Sequence, residues 1–389
     1  MTPPTGQPLP RVAIACGGTG GHLFPGLAVA AELRLAGCEP CLLVSEKEID
    51  RLALGKETSF QAFTLPAVGL SRGRKLAFFR GFAQAFRQAA GLFGSLRPAA
   101  VLSMGGFTGA PSVLAARRCG ARAFLHESNA IAGKANRWIS WVTDRAFVGF
   151  PSAANRLHSR EVLVTGTPVR PGFVPGAVEK CRRELGLDSE RPVLLVTGGS
   201  QGARGINCLI ADALPALARR CRDLQLIWLT GAEGLEAARK ACAQTAVPAL
   251  VHSFWENMEV ALGAATLAVS RAGASSLAEF AAMRLPPVLI PYPDAADQHQ
   301  LLNARLYEKS RAAVVCEQAL TSPVQLAAVI ADLISDSPRL SQMRSALGSW
   351  HTPDAARRIA AAVMEKVTSR THAAGHCAQN ILASPAALA

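Results

Sequence analysis

The chain lacks several features that would assign it to a membrane-spanning, secreted or metal-binding class. No apolar run approaches the roughly 18–20 residues that a membrane-spanning helix needs. The first residues show neither the basic region nor the apolar region of a secretory signal. The ten cysteines are scattered, and the Cys38–Cys41 pair has no second pair or neighbouring histidines to complete a zinc site. These absences predict a reducing compartment and buried, unpaired cysteines.

Acidic residues are absent from the whole segment between Glu57 and Glu127. The chain of 389 residues has 28 Asp and Glu against 41 Lys and Arg, which gives a formal net charge of +13. A basic segment without acids attracts an anionic partner, and nucleic acid and acidic lipid are the two candidates. Its basic residues are Arg72, Arg74, Lys75, Arg80, Arg87, Arg97, Arg117, Arg118 and Arg122.

Phenylalanines recur at helical spacing through residues 71–96, and basic side chains flank them. The chain has only two tyrosines, and phenylalanines on a helix face suit a lipid interface better than stacking on bases, so nucleic acid is not the expected partner. Such a stripe also packs against a core, and some of these rings are expected to face the sheet. The predicted contact with an anionic phospholipid surface consists of Arg72, Arg74, Lys75, Phe79, Arg80, Phe82 and Phe86.

Residues 11–33 form an apolar run, a glycine cluster and a helical pattern. That order predicts a buried parallel strand, a tight turn and a helix packed back on the sheet. The glycines of the turn let backbone N–H groups approach an anion, although the turn lacks the third glycine of a dinucleotide fingerprint and the lysine of a Walker loop. His22 lies at the mouth of the turn, where a helix N-terminus favours the neutral imidazole. It is a candidate general base; the alternative is a histidine that only caps the turn.

Glycine or polar turns also follow other predicted strands, at 105–111, 126–129 and 198–203. Because the carboxyl ends of parallel strands meet at one edge of a sheet, these turns are expected to assemble one active site. The scheme of residues 11–33 recurs from Val193, after a break rich in proline and glycine. The sequence therefore predicts an α/β protein with two Rossmann-like, doubly wound parallel-sheet domains facing a cleft.

Several motifs, taken in order, resemble the bacterial MurG family of glycosyltransferases over about residues 11–367. They are GGTGGH at 17–22, GGFTGAP at 105–111, HESN at 126–129, GTPVR at 166–170, GGSQGA at 198–203, SRAGA at 270–274 and DQHQLLNA at 297–304. The resemblance implies a GT-B fold and an inverting transfer of N-acetylglucosamine from UDP-N-acetylglucosamine to the C4 hydroxyl of the muramyl sugar of lipid I. It also implies peripheral attachment to the cytoplasmic face of the cell membrane and partners in the cell-wall or division machinery.

The same resemblance divides the chain. The expected parts are a flexible leader at 1–10, an N-terminal acceptor and membrane domain at 11–170, a C-terminal UDP-sugar domain at 171–350, a helix at 351–367 that packs back on the N-terminal domain, and a disordered tail at 368–389.

Site residues follow from the resemblance. His22 would be the base, supported by Glu127 and Asn129. No cofactor is implied, and because the chain has no Asp-x-Asp sequence a metal on the diphosphate is not demanded. The implied acceptor-binding residues are Gly105, Gly106 and Thr108. The implied donor-binding residues are Thr19, Gly20, Gly21, Asn129, Arg170, Gly199, Ser200, Gln201, Phe254, Trp255, Met258, Ala274, Ser275, Leu277, Glu279, His299 and Gln300.

Two positions depart from the family pattern. Phe107 stands where the family often has tyrosine, and Ser128 replaces a usual glutamine, so neither is placed in the catalytic group. A non-hydrolysing UDP-N-acetylglucosamine 2-epimerase is the alternative on this architecture, but it would need no lipid and no basic phenylalanine helix.

Overall fold

A computed structural model describes most of the chain. The described residues are 9–18, 20–46, 59–66, 75–106, 108–199 and 202–382, without the side chains of Lys75 and of residues 370–382. Several predictions fall outside them, namely those on Thr19, Arg72, Arg74, Ser200, Gln201, residues 1–8 of the leader and residues 383–389 of the tail.

The described strands form two sheets in which every pairing is parallel, so the prediction of two doubly wound α/β domains is confirmed. The first sheet has the order β3-β2-β1-β4-β5-β6-β7 and the second β10-β9-β8-β11-β12-β13. The strands are β1 Arg11–Ala15, β2 Glu39–Ser45, β3 Gln61–Leu65, β4 Ala100–Ser103, β5 Arg122–Glu127, β6 Arg145–Val148, β7 Val162–Val164, β8 Val193–Thr197, β9 Gln225–Leu229, β10 Ala249–His252, β11 Leu267–Ser270, β12 Pro287–Leu289 and β13 Val314–Val315.

Helices cover both faces of each sheet. They are α1 Gly20–Leu35, α2 Lys75–Leu96, α3 Gly109–Arg118, α4 Lys134–Ile139, α5 Pro151–Ala154, α6 Val178–Glu184, α7 Arg204–Arg220, α8 Leu235–Thr245, α9 Met258–Ala264, α10 Ala274–Met283, α11 His299–Lys309, α12 Pro323–Ser335, α13 Ser337–Gly348 and α14 Ala355–Leu382. Short 3-10 segments lie at Ser140–Val142, Ala232–Gly234 and Ala296–Gln298.

Alternation along β1 separates two cores in the N-terminal domain. Val12 and Ile14 face the core that α1 and α14 cover, whereas Ala13 and Ala15 face the core that α2 and α3 cover. Next to the second core, α3 and α4 close over the outer strands of the same sheet face. Helices α2, α3 and α4 therefore lie side by side on one face, and α1 and α14 lie on the other.

The phenylalanine stripe of α2 is divided between core and surface. Phe93 is buried and Phe86 packs against the same core, because both lie on the side of the helix that carries Ala85 and Ala89. Phe86 is therefore only partly available to the predicted membrane contact. Phe79 is 64% exposed and Phe82 is half-buried.

The last helix packs on the N-terminal domain, since Ile359 and Val363 are buried in the core that holds Val12. Arg145 of β6 reinforces this docking by donating to the Ala362 carbonyl oxygen at 3.2 Å and to Glu365 at 2.9 Å. The helix extends to Leu382, beyond the end that the sequence predicted at 367. No proline interrupts residues 354–384, and alanine-rich sequence has high helix propensity, so the pattern of core contacts ends before the helix does.

None of the cysteines whose side chains the structure describes forms a disulfide. Burial raises the pKa of Cys38 and of Cys41 to about 12, so both stay protonated at neutral pH. Within the described chain, none of the helices combines the length and the hydropathy required to pass through a bilayer.

Candidate functional site

The two glycine turns of the N-terminal domain, which contain Gly17 and Gly106, contact each other through backbone atoms. A Cβ on Gly106 would lie 2.5 Å from the carbonyl oxygen of Gly17, and one on Gly105 would lie 2.8 Å from Cε1 of His22. Both residues also have positive φ angles, +76° and +100° respectively. Only glycine satisfies both conditions, so the sequence of the second turn holds the imidazole of His22 in place.

Thr108 fastens the same two turns. Its buried hydroxyl accepts a hydrogen bond from the Gly17 N–H at 3.2 Å and donates to the Gly17 carbonyl oxygen at 3.4 Å. The resemblance assigned Thr108 to the acceptor, but its hydroxyl is committed to Gly17. The structure therefore gives Thr108 a positioning role.

His126 is a second histidine near His22, and its surroundings keep it neutral. Burial lowers its pKa, and the nearby His22 acts in the same direction. Nε2 lies 3.0 Å from the Gly166 carbonyl oxygen, which can only accept, so Nε2 carries the proton. Nδ1 then accepts from the Ser128 hydroxyl at 3.1 Å. His126 is a structural support, and Ser128 serves it.

Both carboxylate oxygens of Glu127 are occupied by the turn that follows β5. Oε1 accepts from the N–H and the side-chain amide of Asn129 at 2.9 and 3.0 Å. Oε2 accepts from the Gly133 N–H at 2.9 Å and the Asn136 amide at 2.8 Å. Glu127 is buried, so this arrangement fixes Asn129 and occupies the carboxylate with four donors. The structure makes Glu127 a positioning residue.

Asn303 of α11 joins the two domains at this point. Its fully buried amide oxygen accepts from the Ala130 N–H at 2.8 Å, and its amide nitrogen donates to the Asn129 side-chain oxygen and to the Ala272 carbonyl oxygen, each at 3.1 Å. A chain of hydrogen bonds thus runs from Glu127 through Asn129 into the C-terminal domain. The family resemblance gives Asn303 only as a support for His299 and Gln300, and it lies one helical turn after His299 on the same helix face.

Changing Asn303 to Asp should lower the transfer rate about 10- to 100-fold, because each donated bond becomes a contact between two buried oxygens that costs roughly 1–3 kcal/mol. UDP affinity should change less than about threefold, since the C-terminal domain keeps its own residues. Steady-state kinetics and calorimetric UDP titration check this. Asn207→Asp is the matched control, because Asn207 bonds only within the C-terminal domain in the described structure. Equal losses of kcat in the two variants would contradict a domain-aligning role for Asn303.

The N-termini of α1 and α10 meet across the cleft. The Ser275 hydroxyl donates to the Gly21 carbonyl oxygen at 2.7 Å. The first residues of these two helices, including Gly20 and Ala274, therefore lie close together, and both helices direct their positive ends to one place. Leu277, in contrast, buries its side chain in the core and donates its N–H to the Gly273 carbonyl oxygen, so it does not face the cleft.

Asp297 makes a further contact between the domains. Its carboxylate accepts from Arg137 at 3.1 Å and lies 3.7 Å from Lys134, and both partners belong to α4. Asp297 and Gln298 have φ angles of +51° and +52°, the left-handed region that costs non-glycine residues of order 1–3 kcal/mol. The strain of these two residues lies in the segment that leads into α11.

That segment positions His299 and Gln300. His299 Nδ1 donates to the Ala296 carbonyl oxygen at 2.8 Å, which leaves Nε2 as the acceptor nitrogen. The Gln300 side-chain oxygen accepts from the Tyr292 N–H at 3.0 Å, so its amide NH₂ remains the donor end. Their predicted contact with the donor sugar would therefore use one acceptor and one donor.

Arg170 lies between the domains. Its guanidinium carbon is 4.4 Å from the ring centre of Phe24 in α1 and 5.0 Å from that of Phe173. Its buried Nε has no hydrogen-bond partner among the residues that the structure describes. Arg170 also acts electrostatically on Glu279, so it lies near both α1 and α10.

Glu279 lies on α10, and its surroundings disfavour the charged form. Burial raises its pKa to about 7; Arg170 opposes the shift and Glu259 adds to it. The carboxyl group therefore ionises close to neutral pH. A half-buried carboxylate of this kind gains from hydroxyl donors, such as those of a ribose.

The glycine turn after β8 is shaped for close approach. Gly199 has φ +84° and open space where a Cβ would be, and Gly202 has φ +74° with a Cβ position 2.3 Å from the Thr230 carbonyl oxygen. The Gly199 N–H donates to the Thr197 hydroxyl oxygen at 3.2 Å. The turn leads directly into the N-terminus of α7.

The predicted uracil pocket follows β10. The rings of Trp255 and His252 are 4.6 Å apart in an edge-to-face arrangement, and Trp255 and Met258 pack against the core. Phe254 is half-buried beside them. The indole N–H of Trp255 is buried, and within the described part of the chain it has no acceptor. Met258 begins α9, whose Glu259 interacts with Glu279, so this pocket adjoins the carboxyl group.

No group of three or more His, Cys, Asp or Glu side chains within the described residues could hold a metal ion. The N-termini of α1 and α10 and the guanidinium of Arg170 supply positive charge where the two domains meet.

Comparison with known proteins agrees with this geometry. Sequence models of the N-terminal and C-terminal domains of glycosyltransferase family 28 match residues 12–148 and 193–359. A protein of Gloeobacter violaceus is 36% identical over 93% of this chain and 99% of its own length. One of Acidithiobacillus ferrooxidans is 38% identical over 91% of this chain and 97% of its own. Both are named UDP-N-acetylglucosamine–N-acetylmuramyl-(pentapeptide) pyrophosphoryl-undecaprenol N-acetylglucosamine transferase.

Solved structures give the same result. MurG of Acinetobacter baumannii superposes with a TM-score of 0.71 at 27% identity, covering 92% of this chain and all of that one. A 2-epimerase of Listeria monocytogenes, described as putative in its title, reaches 0.70 at 15% identity over 94% of this chain and 98% of its own, a likeness of fold alone. The GT-B prediction is confirmed, and the chain is a glycosyltransferase. By its two family-28 domains, its relatives and its cleft, it belongs to the MurG family.

Proposed function

We propose that this chain transfers N-acetylglucosamine from UDP-N-acetylglucosamine to the C4 hydroxyl of the muramyl sugar of undecaprenyl-pyrophosphoryl-MurNAc-pentapeptide, with inversion at the anomeric carbon, converting lipid I to lipid II in peptidoglycan synthesis. The observation that carries the proposal is the contact between the N-termini of α1 and α10 near Arg170, at the place where His22 packs against the turn of Gly105 and Gly106. The named relatives supply the substrates.

The donor is proposed to bind mainly to the C-terminal domain. The ribose hydroxyls would donate to Glu279, and uracil would enter the pocket of Phe254, Trp255 and Met258. The diphosphate would lie against the turn at 198–203, beside α7 and Arg170. His299 and Gln300 would contact the sugar.

The acceptor is proposed to approach over the turn of Gly105 and Gly106. His22, packed against that turn, would take the proton of the C4 hydroxyl as its oxygen attacks the anomeric carbon. The bond to the UDP oxygen breaks in the same step, which gives one inversion. Glu127 and Asn129 hold the adjoining turn in place.

The leaving diphosphate is proposed to need no divalent metal. Its developing charge would face the positive ends of α1 and α10 together with the guanidinium of Arg170, whose buried Nε already lacks a partner in the described structure.

Transfer of labelled N-acetylglucosamine to a lipid I analogue tests this directly. With excess EDTA the rate should stay within about twofold of the rate with Mg²⁺, because helix dipoles and Arg170 supply the charge stabilisation. A fall to background with EDTA, restored by Mg²⁺, would contradict the metal-free step. Formation of UDP-N-acetylmannosamine without acceptor would instead support the epimerase.

The membrane contact belongs to the same proposal. The acceptor is anchored in a bilayer, and α2 presents Phe79 beside the exposed Arg80 on the acid-free segment. We propose that α2 binds the anionic phospholipid of the cytoplasmic face and holds the enzyme there as a peripheral protein.

A further inference from the structure

Two tryptophans outside the catalytic cleft are exposed. Trp138 is 61% exposed and Trp141 is 69% exposed. They are three residues apart on α4 and the 3-10 segment that follows it, so their side chains emerge on one side. The Trp141 ring stacks on the exposed His158 with centroids 4.1 Å apart and planes at 16°. Exposed pairs of this size are unusual on a surface that meets only water.

Positive charge surrounds the pair. Residues 128–160 contain a single acid, Asp144, which is bound by Arg117 and Arg122 at 3.1 Å each. Arg156 and Arg160 flank His158 in the chain and are exposed, as is Arg118 at the end of α3. Glu127 itself is buried and hydrogen-bonded, so it adds no negative charge to the surface. The basic surface of the segment before Glu127 therefore continues beyond it.

The pair also shares a face of the protein with α2. Helices α2 and α3 pack over one core, and α3 and α4 pack over the next one on the same side of the sheet. Both elements therefore belong to the helical layer on one face of the sheet.

We propose that Trp138 and Trp141, supported by His158, form a second lipid-contacting element that inserts at the interface of an anionic bilayer. The inference rests on the proposed membrane attachment through α2. Tryptophan favours the headgroup region because its ring is apolar and its N–H is polar, and the neighbouring arginines bind lipid phosphates. Two separated contacts fix the tilt of the N-terminal domain relative to the membrane plane, whereas a single contact through α2 leaves that tilt variable. The acceptor turn at Gly105 and Gly106, which precedes α3, would then keep a constant height above the membrane.

Fluorescence quenching by brominated lipid tests the element on the intact protein. The chain has five tryptophans, and Trp228 is fully buried. Vesicles of brominated phosphatidylglycerol should quench the wild type. Trp138→Phe with Trp141→Phe should remove most of that quenching while the protein still binds, because phenylalanine keeps most of the apolar surface. Unchanged quenching in this variant would overturn the inference.

Vesicle affinity gives a second readout. Trp138→Ala with Trp141→Ala should weaken binding to phosphatidylglycerol vesicles about tenfold or more, whereas Leu320→Ala, a change at another exposed apolar residue (76%) in the C-terminal domain, should not. UDP-N-acetylglucosamine affinity and the unfolding temperature should stay unchanged in both double tryptophan variants and in Leu320→Ala.

A Phe79→Ser variant separates the two hypotheses. If it weakens vesicle binding and the tryptophan variants do not, the α2 attachment stands and the second element is refuted, with a protein partner as the remaining occupant of the pair. If the wild type ignores anionic vesicles altogether, the membrane attachment itself fails.

Discussion

Replacing His22 with alanine is expected to lower kcat about 10²- to 10⁴-fold, the usual contribution of a positioned general base. The side chain lies at the start of α1 against Gly105 and Gly106, and the N-terminus of α10 contacts the neighbouring Gly21. Donor affinity should change little, because the base acts on the acceptor hydroxyl. Single-turnover kinetics with a lipid I analogue, and calorimetry with the donor, separate the two effects.

The matched control is the second histidine of the site. His126→Asn removes a buried, neutral imidazole that bonds only to Gly166 and Ser128 in the described structure, so it should lower the unfolding temperature more than kcat. A loss of less than tenfold in a folded His22→Ala protein would end the assignment.

Exchanging Glu279 for glutamine should change donor binding and stability in opposite directions. Loss of charge-assisted hydrogen bonds to the ribose hydroxyls, worth roughly 1.5–3 kcal/mol, should weaken UDP-N-acetylglucosamine about 10- to 100-fold. The free protein should nevertheless unfold at a higher temperature at pH 8, because the buried charge is gone. Calorimetric titration and thermal unfolding measure the two effects.

The pH dependence follows from the raised pKa of about 7. The folded state holds the proton of Glu279 more tightly than the unfolded state does, so this group's stabilising contribution is complete below the unfolded pKa near 4.5 and is lost as the pH rises to about 7. The stability gain of the glutamine variant should therefore be roughly 1–3 kcal/mol at pH 8 and vanish near pH 4. A gain that is equal at pH 4 and pH 8 would show that ionisation is not its cause.

The wild-type donor affinity should also fall from pH 8 to pH 5.5, since the protonated carboxyl accepts less strongly, while that of the glutamine variant stays level. A sugar diphosphate diester has no ionisation of its own in this range, so a change in the wild type alone reports on Glu279.

The sequence predicted the fold because its signals were local. Val12 and Ile14 in an apolar run, followed by glycines and a helical pattern, identify one strand–turn–helix unit, and the same order after Val193 identifies the second. Short or half-polar strands such as β6, β10 and β13 were not predicted, since a few residues do not establish a period and sheet neighbours decide their state.

Side-chain roles were predicted less completely because hydrogen bonds across the cleft have no local signature. Nothing near Thr108 shows that Gly17 will occupy its hydroxyl, and nothing near Glu127 shows that four donors will fill its carboxylate. The domain-joining role of Asn303 was not predicted for the same reason, since its partners lie 31 to 174 positions away in the chain. The roles of Arg170 and Glu279 came from family resemblance. The structure adds that Arg170 opposes the rise in the pKa of Glu279 that burial causes.

The docking of α14 restricts how the chain can be dissected. Because Ile359, Ala360 and Val363 complete the core beneath β1, the polypeptide passes from the first domain to the second and back again. A fragment ending at residue 170 would expose that core to water. A fragment starting at residue 171 would expose the apolar face of α14. Neither half is an autonomous piece of the primary sequence, so an acceptor module produced in isolation needs its distant C-terminal helix fused back on.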